Sequence, residues 1–222
     1  MQAYSTIVGF FQEGGLFMYP IVLVLALGLA IAVERWVYLT ATTAKNKMLW
    51  NKVTPYLKSG NFAGAAQVTS KSKAAIAQIM TYGLNRVRSA RRREDVEQAM
   101  EESLMEVMPR LEKRTHYLAT FANIATLLGL LGTIIGLINA FTAVSNANPA
   151  EKADLLSASI SVAMNTTAFG LMVAIPLLLV HTLLQTKTTE IVDSLEMASV
   201  KFLNAITERG AAQAPAKAPA KA

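Results

Sequence analysis

The stretch LATFANIATLLGLLGTIIGLINAF, Leu118 to Phe141, decides how this chain is read. It carries no charged residue and lies inside a longer uncharged run from Tyr117 to Ala150. Two further runs share the property, Leu16 to Val33 and Leu155 to Val180, while charged side chains crowd the stretches between. About 20 apolar residues cross a ~30 Å hydrocarbon layer as a helix, so each run is long enough to span a bilayer. A buried helix of a large soluble core is the alternative, but such helices are normally shorter and keep a polar face. A mean hydropathy of +0.35 and only 16% charged residues over 222 residues agree with the membrane reading. The fold class expected is an all-α membrane protein with three transmembrane helices, the second and third extended into the cytoplasm.

The distribution of the basic residues says more than the net charge of +6. No Lys or Arg precedes Arg35, 15 lie from Arg35 to Arg114, one (Lys152) lies between the second and third runs, and five follow the third. Cytoplasmic loops collect Lys and Arg, so the N-terminus and the loop around Pro149 are expected outside, and the large loop and C-terminus inside. A cleaved signal peptide would begin with positive charge, whereas Met1 to Val33 holds only Glu13, so the first run is read as a retained span. The short apolar segment Tyr4 to Gln12 either lies flat in the outer interface or is disordered. Glu34, Arg35 and Trp36 end the first span as interfacial anchors, Glu34 most simply in an ion pair. Cysteine is absent, which excludes disulfides, thiolate metal sites and cysteine nucleophiles.

Between the first two spans the chain reads as helical pieces over Lys45 to Lys58, Phe62 to Ser70 and Ala74 to Arg88, with Gly60 as a helix C-cap. The run Arg91-Arg92-Arg93-Glu94-Asp95 fits either anionic lipid headgroups or a solvated helix start with acids in its first turn. From Glu94 the helical pattern continues through Met100, Val107 and Leu111 into the second span, with Pro109 as the only breaker. One helix from Glu94 to about Phe141 would be on the order of 70 Å long. Thr186 to Thr207 keeps helical spacing through Ile191, Leu195, Ala198, Phe202 and Ile206. The domains expected are a periplasmic N-terminal segment (1–15), a first transmembrane helix (16–38), a cytoplasmic helical region (39–115), a second transmembrane helix (116–143), a periplasmic loop (144–156), a third transmembrane helix (157–184), a cytoplasmic helix (185–209) and a disordered Ala/Pro/Lys tail (210–222).

Small and hydroxyl residues recur along one side of the second span: Thr126, Gly129, Thr133, Gly136 and Ala140, with Gly132 opening a G-x-x-x-G. The third span has Ala163, Thr167, Gly170 and Ala174, with Asn165 and Thr166 beside them. Helices in lipid associate through close packing, so such stripes mark a helix interface or a pore-facing surface. Thr133 and Thr167 either orient water or an ion-carrying group, or bond to carbonyls of their own helix and merely permit packing. Asn165 should face protein. His116 and His181 read as interfacial or structural. No Asp or Glu lies inside any span, although a protein moving protons or sodium normally needs an intramembrane carboxylate. If these spans line an ion pathway, a partner supplies the acid. No Walker loop, G-x-S-x-G or H-E-x-x-H occurs, so no catalytic residue, metal or cofactor is expected and the chain does not read as an enzyme.

The quoted stretch resembles the second-span signature of the ExbB/TolQ branch of the MotA/TolQ/ExbB channel family. The third-span sequence SISVAMNTTAFGLMVAIP, Ser159 to Pro176, is similar to its companion motif, and Glu34-Arg35 and the Gly60-Asn61 break also resemble the family. The resemblance implies a homopentamer around single-span partners of the ExbD/TolR/MotB type, whose aspartate carries the ion, H⁺ rather than Na⁺. It implies that Thr133 and Thr167 face the pore and that Pro176 is the family's third-span proline. Many ExbB/TolQ proteins have a glutamate at the position of Val162, a departure that counts against iron-siderophore uptake or outer-membrane maintenance in particular and leaves a gliding-type or other motor open. Three spans argue against a flagellar MotA proper. The function expected is a ring-forming subunit of an ion-driven motor in the bacterial inner membrane, in contact with lipid and not with nucleic acid. A structural membrane scaffold and a self-sufficient ion channel are the competing readings.

Overall fold

The computed structural model describes residues 14–87, 89 and 92–213. Among them the only regular elements are helices: α1 (Met18–Ser59), α2 (Phe62–Ser70), α3 (Ala75–Val87), α4 (Arg93–Glu112), α5 (Thr115–Asn146) and α6 (Lys152–Gln213). The chain is an all-α membrane protein with three helical stretches long and apolar enough to span. The segment Tyr4 to Gln12, Arg91 of the basic run and residues 214–222 of the expected tail lie outside the described residues.

Three helix boundaries differ from expectation. The helix that holds the first span does not end near Tyr38. It continues through Thr40 to Lys45 into a single helix reaching Ser59, because nothing there breaks it: the Thr42 and Thr43 hydroxyls donate to the Tyr38 and Leu39 carbonyls of the same helix. Conversely, the single helix expected from Glu94 to Phe141 is broken at Lys113–Arg114. Pro109 is accommodated inside α4, and the Lys113 N–H still bonds to the Pro109 carbonyl. Arg114 then takes φ +66°, a left-handed conformation costing an L-residue about 1 kcal/mol, and α5 starts afresh. Finally, α6 runs through Gly210 to Gln213, into the stretch read as tail.

The chain divides into two compact units, Met1–Trp36 with Arg114–Gln185, and Val37–Lys113 with Thr186–Ala222. The first holds the three uncharged runs. Met18, Ile21 and Val24 of α1, Leu118, Ala122 and Ala125 of α5, and Val173 and Leu177 of α6 are buried there. Their outer faces are not: Leu127, Ile134, Ile138 and Phe141 on α5 are all exposed. Within one chain only 28%, 22% and 33% of the most apolar stretch of each spanning helix is covered, so lipid or other chains must meet the rest.

The second unit is a bundle of the water-soluble kind. Leu49, Val53 and Leu57 of α1, Ile76, Ile79 and Met80 of α3, Met100, Val107 and Leu111 of α4, and Ile191, Leu195, Ala198 and Phe202 of α6 are buried at steps of three and four. Gly60 ends α1 at φ +75°, the left-handed cap a glycine takes without steric cost. Asn61 caps α2 by accepting the Gly64 N–H at 2.8 Å. The Arg92 N–H donates to the Asp95 carboxylate at the start of α4, so this end of the basic run is an acid-capped helix start. Arg93 donates to Asn204 Oδ1 at 3.1 Å and Lys187 to Thr40 Oγ1 at 2.6 Å, tying α6 to α4 and α1.

Phe202 is fully buried, and a Cβ added at Gly83 would stand 2.9 Å from its ring. Truncating a buried Phe removes transfer energy and leaves a cavity, typically 3–5 kcal/mol. Phe202→Ala is expected to lower the thermal midpoint of the detergent-solubilised protein by several degrees, whereas Met105→Ala, at an exposed position, leaves it within a degree or two.

Candidate functional site

The two small-residue stripes lie against each other within one chain. A Cβ on Gly136 would meet the Ala163 Cβ at 2.8 Å, one on Gly132 would run into the Thr166 side chain, and one on Gly129 would stand 3.3 Å from the Cα atoms of both Thr167 and Gly170. From the other side, a Cβ on Gly170 would sit 2.7 Å from the Ala125 carbonyl oxygen and 3.1 Å from the Gly129 Cα. The stripes thus form an antiparallel crossing of α5 and α6 with backbone on backbone, which only glycine permits. Ala140, Ala163 and Ala174 are buried, Thr126 returns its hydroxyl to the Ala122 carbonyl, and Pro176 is exposed.

Close approach puts a side chain of one helix on the backbone of the other. Thr167 Oγ1 donates to the Gly129 carbonyl across the crossing at 2.8 Å. The Gly129 carbonyl is also the helical acceptor for the Thr133 N–H one turn on, so the two threonines meet at a single oxygen. The Thr133 hydroxyl itself returns to its own helix, donating to the Leu130 carbonyl at 2.6 Å. Thr166 is buried, and its hydroxyl bonds to two carbonyls, Gly14 at 2.6 Å and Val162 at 2.9 Å. It thereby fastens the segment preceding α1 to α6. Asn165 is half-buried beside it. Val162, where the resemblance leads one to look for a glutamate, is half-buried with a methyl 3.1 Å from where a Gly15 Cβ would stand.

At the other end of this unit Glu34 is paired with Arg114, whose Nη1 lies 2.8 Å from both carboxylate oxygens. The sequence places Arg35 next to Glu34, yet successive helical residues point to different faces: Arg35 is buried, while Glu34 and Trp36 are exposed. Arg114 carries no signal in the sequence, because its role follows from the left-handed break between α4 and α5. Each side chain of the pair is nearly half exposed, so it orients the start of α5 more than it stabilises it. His116 is exposed and His181 half-buried. Among the described residues no group of His, Cys, Asp and Glu could hold a metal ion.

The crossing yields a stability prediction. Added volume at Gly170 collides with backbone, which cannot turn aside as a side chain can, and overpacking of this kind costs about 1–3 kcal/mol. Gly170→Val is expected to lower the thermal midpoint of the detergent-solubilised chain by several degrees, and Gly28→Ala by less, since there the obstacle is the flexible Leu177 side chain.

Comparison with known proteins agrees with this architecture. The profile of the MotA/TolQ/ExbB proton channel family matches residues 71–197, which take in α3, α4, α5 and most of α6. An ExbB homolog of the biopolymer transport type from Methanothermobacter thermautotrophicus is 28% identical over 196 residues, 87% of this chain and 68% of its own length. The Tol-Pal system protein TolQ of Haemophilus influenzae is 34% identical over 109 residues, 49% of this chain and 46% of its own. An ExbB-like biopolymer transport protein of Synechocystis is 27% identical over 169 residues, 76% of this chain and 80% of its own. With three helices long and apolar enough to span and this family match over more than half its length, the chain belongs to the MotA/TolQ/ExbB proton channel family, in the ExbB/TolQ-like branch.

Proposed function

We propose that this multi-pass membrane protein is the ring-forming, channel-wall subunit of an ion-driven motor in the bacterial inner membrane. In this reading several copies, five by the family resemblance, surround the Asp-bearing helices of a single-span ExbD/TolR/MotB-like partner. Proton flow is converted into work on the envelope, whether transport, envelope maintenance or gliding. The N-terminus faces the periplasm and the C-terminus the cytoplasm, following the Lys and Arg count. The observation that carries the reading is a crossing with a hydroxyl at its centre and no carboxylate of its own: the Thr167 hydroxyl donates to the Gly129 carbonyl, in spans free of Asp and Glu.

The chemistry follows from what each oxygen has left to offer. The Thr167 proton is engaged by Gly129, so its oxygen presents lone pairs, which suit the O–H of a protonated partner acid. When that acid loses its proton, rotation of the Thr167 hydroxyl turns the donor toward the new carboxylate, and Thr133 and Asn165 line the same path. An unpaired carboxylate in a low-dielectric site is costly, so each protonation change alters how strongly the wall holds the partner helix and drives a step of the ring relative to it. The exposed apolar faces of α5 and α6 are the surfaces for neighbouring copies and lipid. A purely structural scaffold is the competing reading, favoured by the fact that the Thr133, Thr166 and Thr167 hydroxyls all donate to carbonyls of this chain.

Proton flux into liposomes separates these readings, using the chain reconstituted with and without a single-span partner that carries an intramembrane Asp. Flux is expected only with the partner. Thr167→Val should cut it at least tenfold while the complex still assembles, and Thr167→Ser should keep most of it. Unchanged flux in Thr167→Val would favour the scaffold, and conduction by the chain alone would favour a self-sufficient channel.

A further inference from the structure

The turn that precedes α1, residues 14–17, reaches into the crossing of α5 and α6, and the motor reading leaves it without a role. It touches both helices. A Cβ on Gly132 of α5 would stand 3.5 Å from the Phe17 Cβ, and a methyl of Val162 on α6 lies 3.1 Å from where a Gly15 Cβ would be. Gly14 is buried, and Gly15 takes φ +73°, which lets the chain turn sharply into the notch. A Cβ on the same Gly132 would run into the Thr166 side chain. The turn, α5 and α6 therefore converge within about one helical turn of the Thr167–Gly129 bond.

A polar bond holds the turn in place. The Met18 and Tyr19 N–H groups go to the Gly15 and Leu16 carbonyls, so the Gly14 carbonyl stands ahead of the helical ladder and needs a donor of its own in an apolar setting. Thr166 supplies it. This side chain is 2% exposed, and its one hydroxyl proton is shared between the Gly14 carbonyl at 2.6 Å and the Val162 carbonyl of its own helix at 2.9 Å. A threonine that merely satisfies itself within a helix needs only the acceptor one turn back, as Thr126 uses Ala122. In Thr166 the shorter bond is the one that leaves the helix. Successive helical residues project about 100° apart, so Thr166 and Thr167 leave α6 in different directions. Thr167 goes to Gly129 on α5 and Thr166 to Gly14 before α1. One such bond would let α6 swivel about it, whereas two in different directions fix its rotation.

We propose that Thr166 is a positioning residue of the channel wall: by holding the 14–17 turn against α5 and α6, its hydroxyl sets the rotation of α6 at which Thr167 reaches the Gly129 carbonyl. This rests on the reading of Thr167 as the group that meets the partner's acid. Thr166 itself is buried with its proton engaged, so it touches neither the ion nor the acid. Its loss is felt through Thr167, and through a turn that leaves Val162 once the Gly14 carbonyl has no donor.

The test uses the full chain, which has no cysteine, so a single engineered thiol is the only one present. Thr166→Ala and Thr166→Ser both remove the methyl that faces Gly132 and differ only in the hydroxyl. The rate at which Val162→Cys reacts with a small methanethiosulfonate reagent, measured on the detergent-solubilised chain, reports whether the turn still covers α6. That rate is expected to rise about tenfold or more with Thr166→Ala and to stay within about threefold with Thr166→Ser. Val173→Cys, buried on the same helix, should stay slow in both. In liposomes with the single-span partner and Val162 unchanged, Thr166→Ala should cut proton flux about fivefold or more and Thr166→Ser should restore most of it. An unchanged rate at Val162→Cys in Thr166→Ala would overturn the proposal, as would equal effects of alanine and serine, equal acceleration at the two cysteine positions, or unchanged flux beside a raised labelling rate. A native chain without partner-dependent flux would instead sink the motor reading, and the labelling rates would still decide whether Thr166 holds the turn.

Discussion

The contact on which the rest of the membrane-spanning unit depends is the meeting of two backbones at Gly129 and Gly170. Lipid tails are as apolar as leucine, so these helices gain little from leaving the bilayer solvent and must be held by close packing and by hydrogen bonds that have no competitor. Both follow from the same omission of side chains. With no Cβ at Gly129 or Gly170, the helix axes come near enough for the Thr167 hydroxyl to reach a main-chain carbonyl on α5. That carbonyl already serves the helical ladder, so one oxygen joins the internal bonding of α5 to the attachment of α6. Thr166 extends the arrangement by bonding the Gly14 carbonyl, and the segment before α1 is thereby fixed to the same turn of α6.

The second unit solves a different problem with the same helices. Past Trp36 and past Gln185, α1 and α6 exchange an uncharged surface for one with buried residues every three or four positions and charges between. There water drives burial, and large side chains such as Phe202, Met100 and Leu195 fill the core in place of glycine and alanine. The helical register simply carries on while the criterion for what faces inward changes from small to large. The break at Arg114 belongs to this change, since it separates the amphipathic α4 from the wholly apolar α5 and leaves a guanidinium placed for Glu34.

Polar groups are satisfied unevenly in both units, and Thr115 Oγ1 at the start of α5 is buried without a hydrogen-bond partner. In the apolar unit the threonines singled out from the sequence, Thr126, Thr133, Thr166 and Thr167, donate to carbonyls, as a medium without water requires. In the water-facing unit Asn46 Nδ2 and Ser103 Oγ are buried with no hydrogen-bond partner. Asn46 lies between a hollow lined by Lys45, Lys73 and Arg110 and another that includes Glu190 and Asp193, whereas nothing in the surroundings of Ser103 accounts for its unmet hydroxyl.

By itself the sequence determined the membrane class, the three spans, the residues of the two small stripes, the glycine cap at Gly60 and the buried register of Ile191, Leu195, Ala198 and Phe202. Each of these follows from local composition or from a period of 3.6, which one chain segment carries without reference to any other. Only the tertiary structure decided that the two stripes face one another, that the Thr167 hydroxyl crosses to Gly129 while that of Thr133 stays on its own helix, and that Glu34 pairs with Arg114 and not with its neighbour Arg35. It likewise decided that α1 runs unbroken to Ser59 while α4 and α5 separate. For the crossing and the ion pair the reason is the same: these outcomes join residues far apart in the chain, and a period tells which residues share a face without telling which face on another helix they will meet.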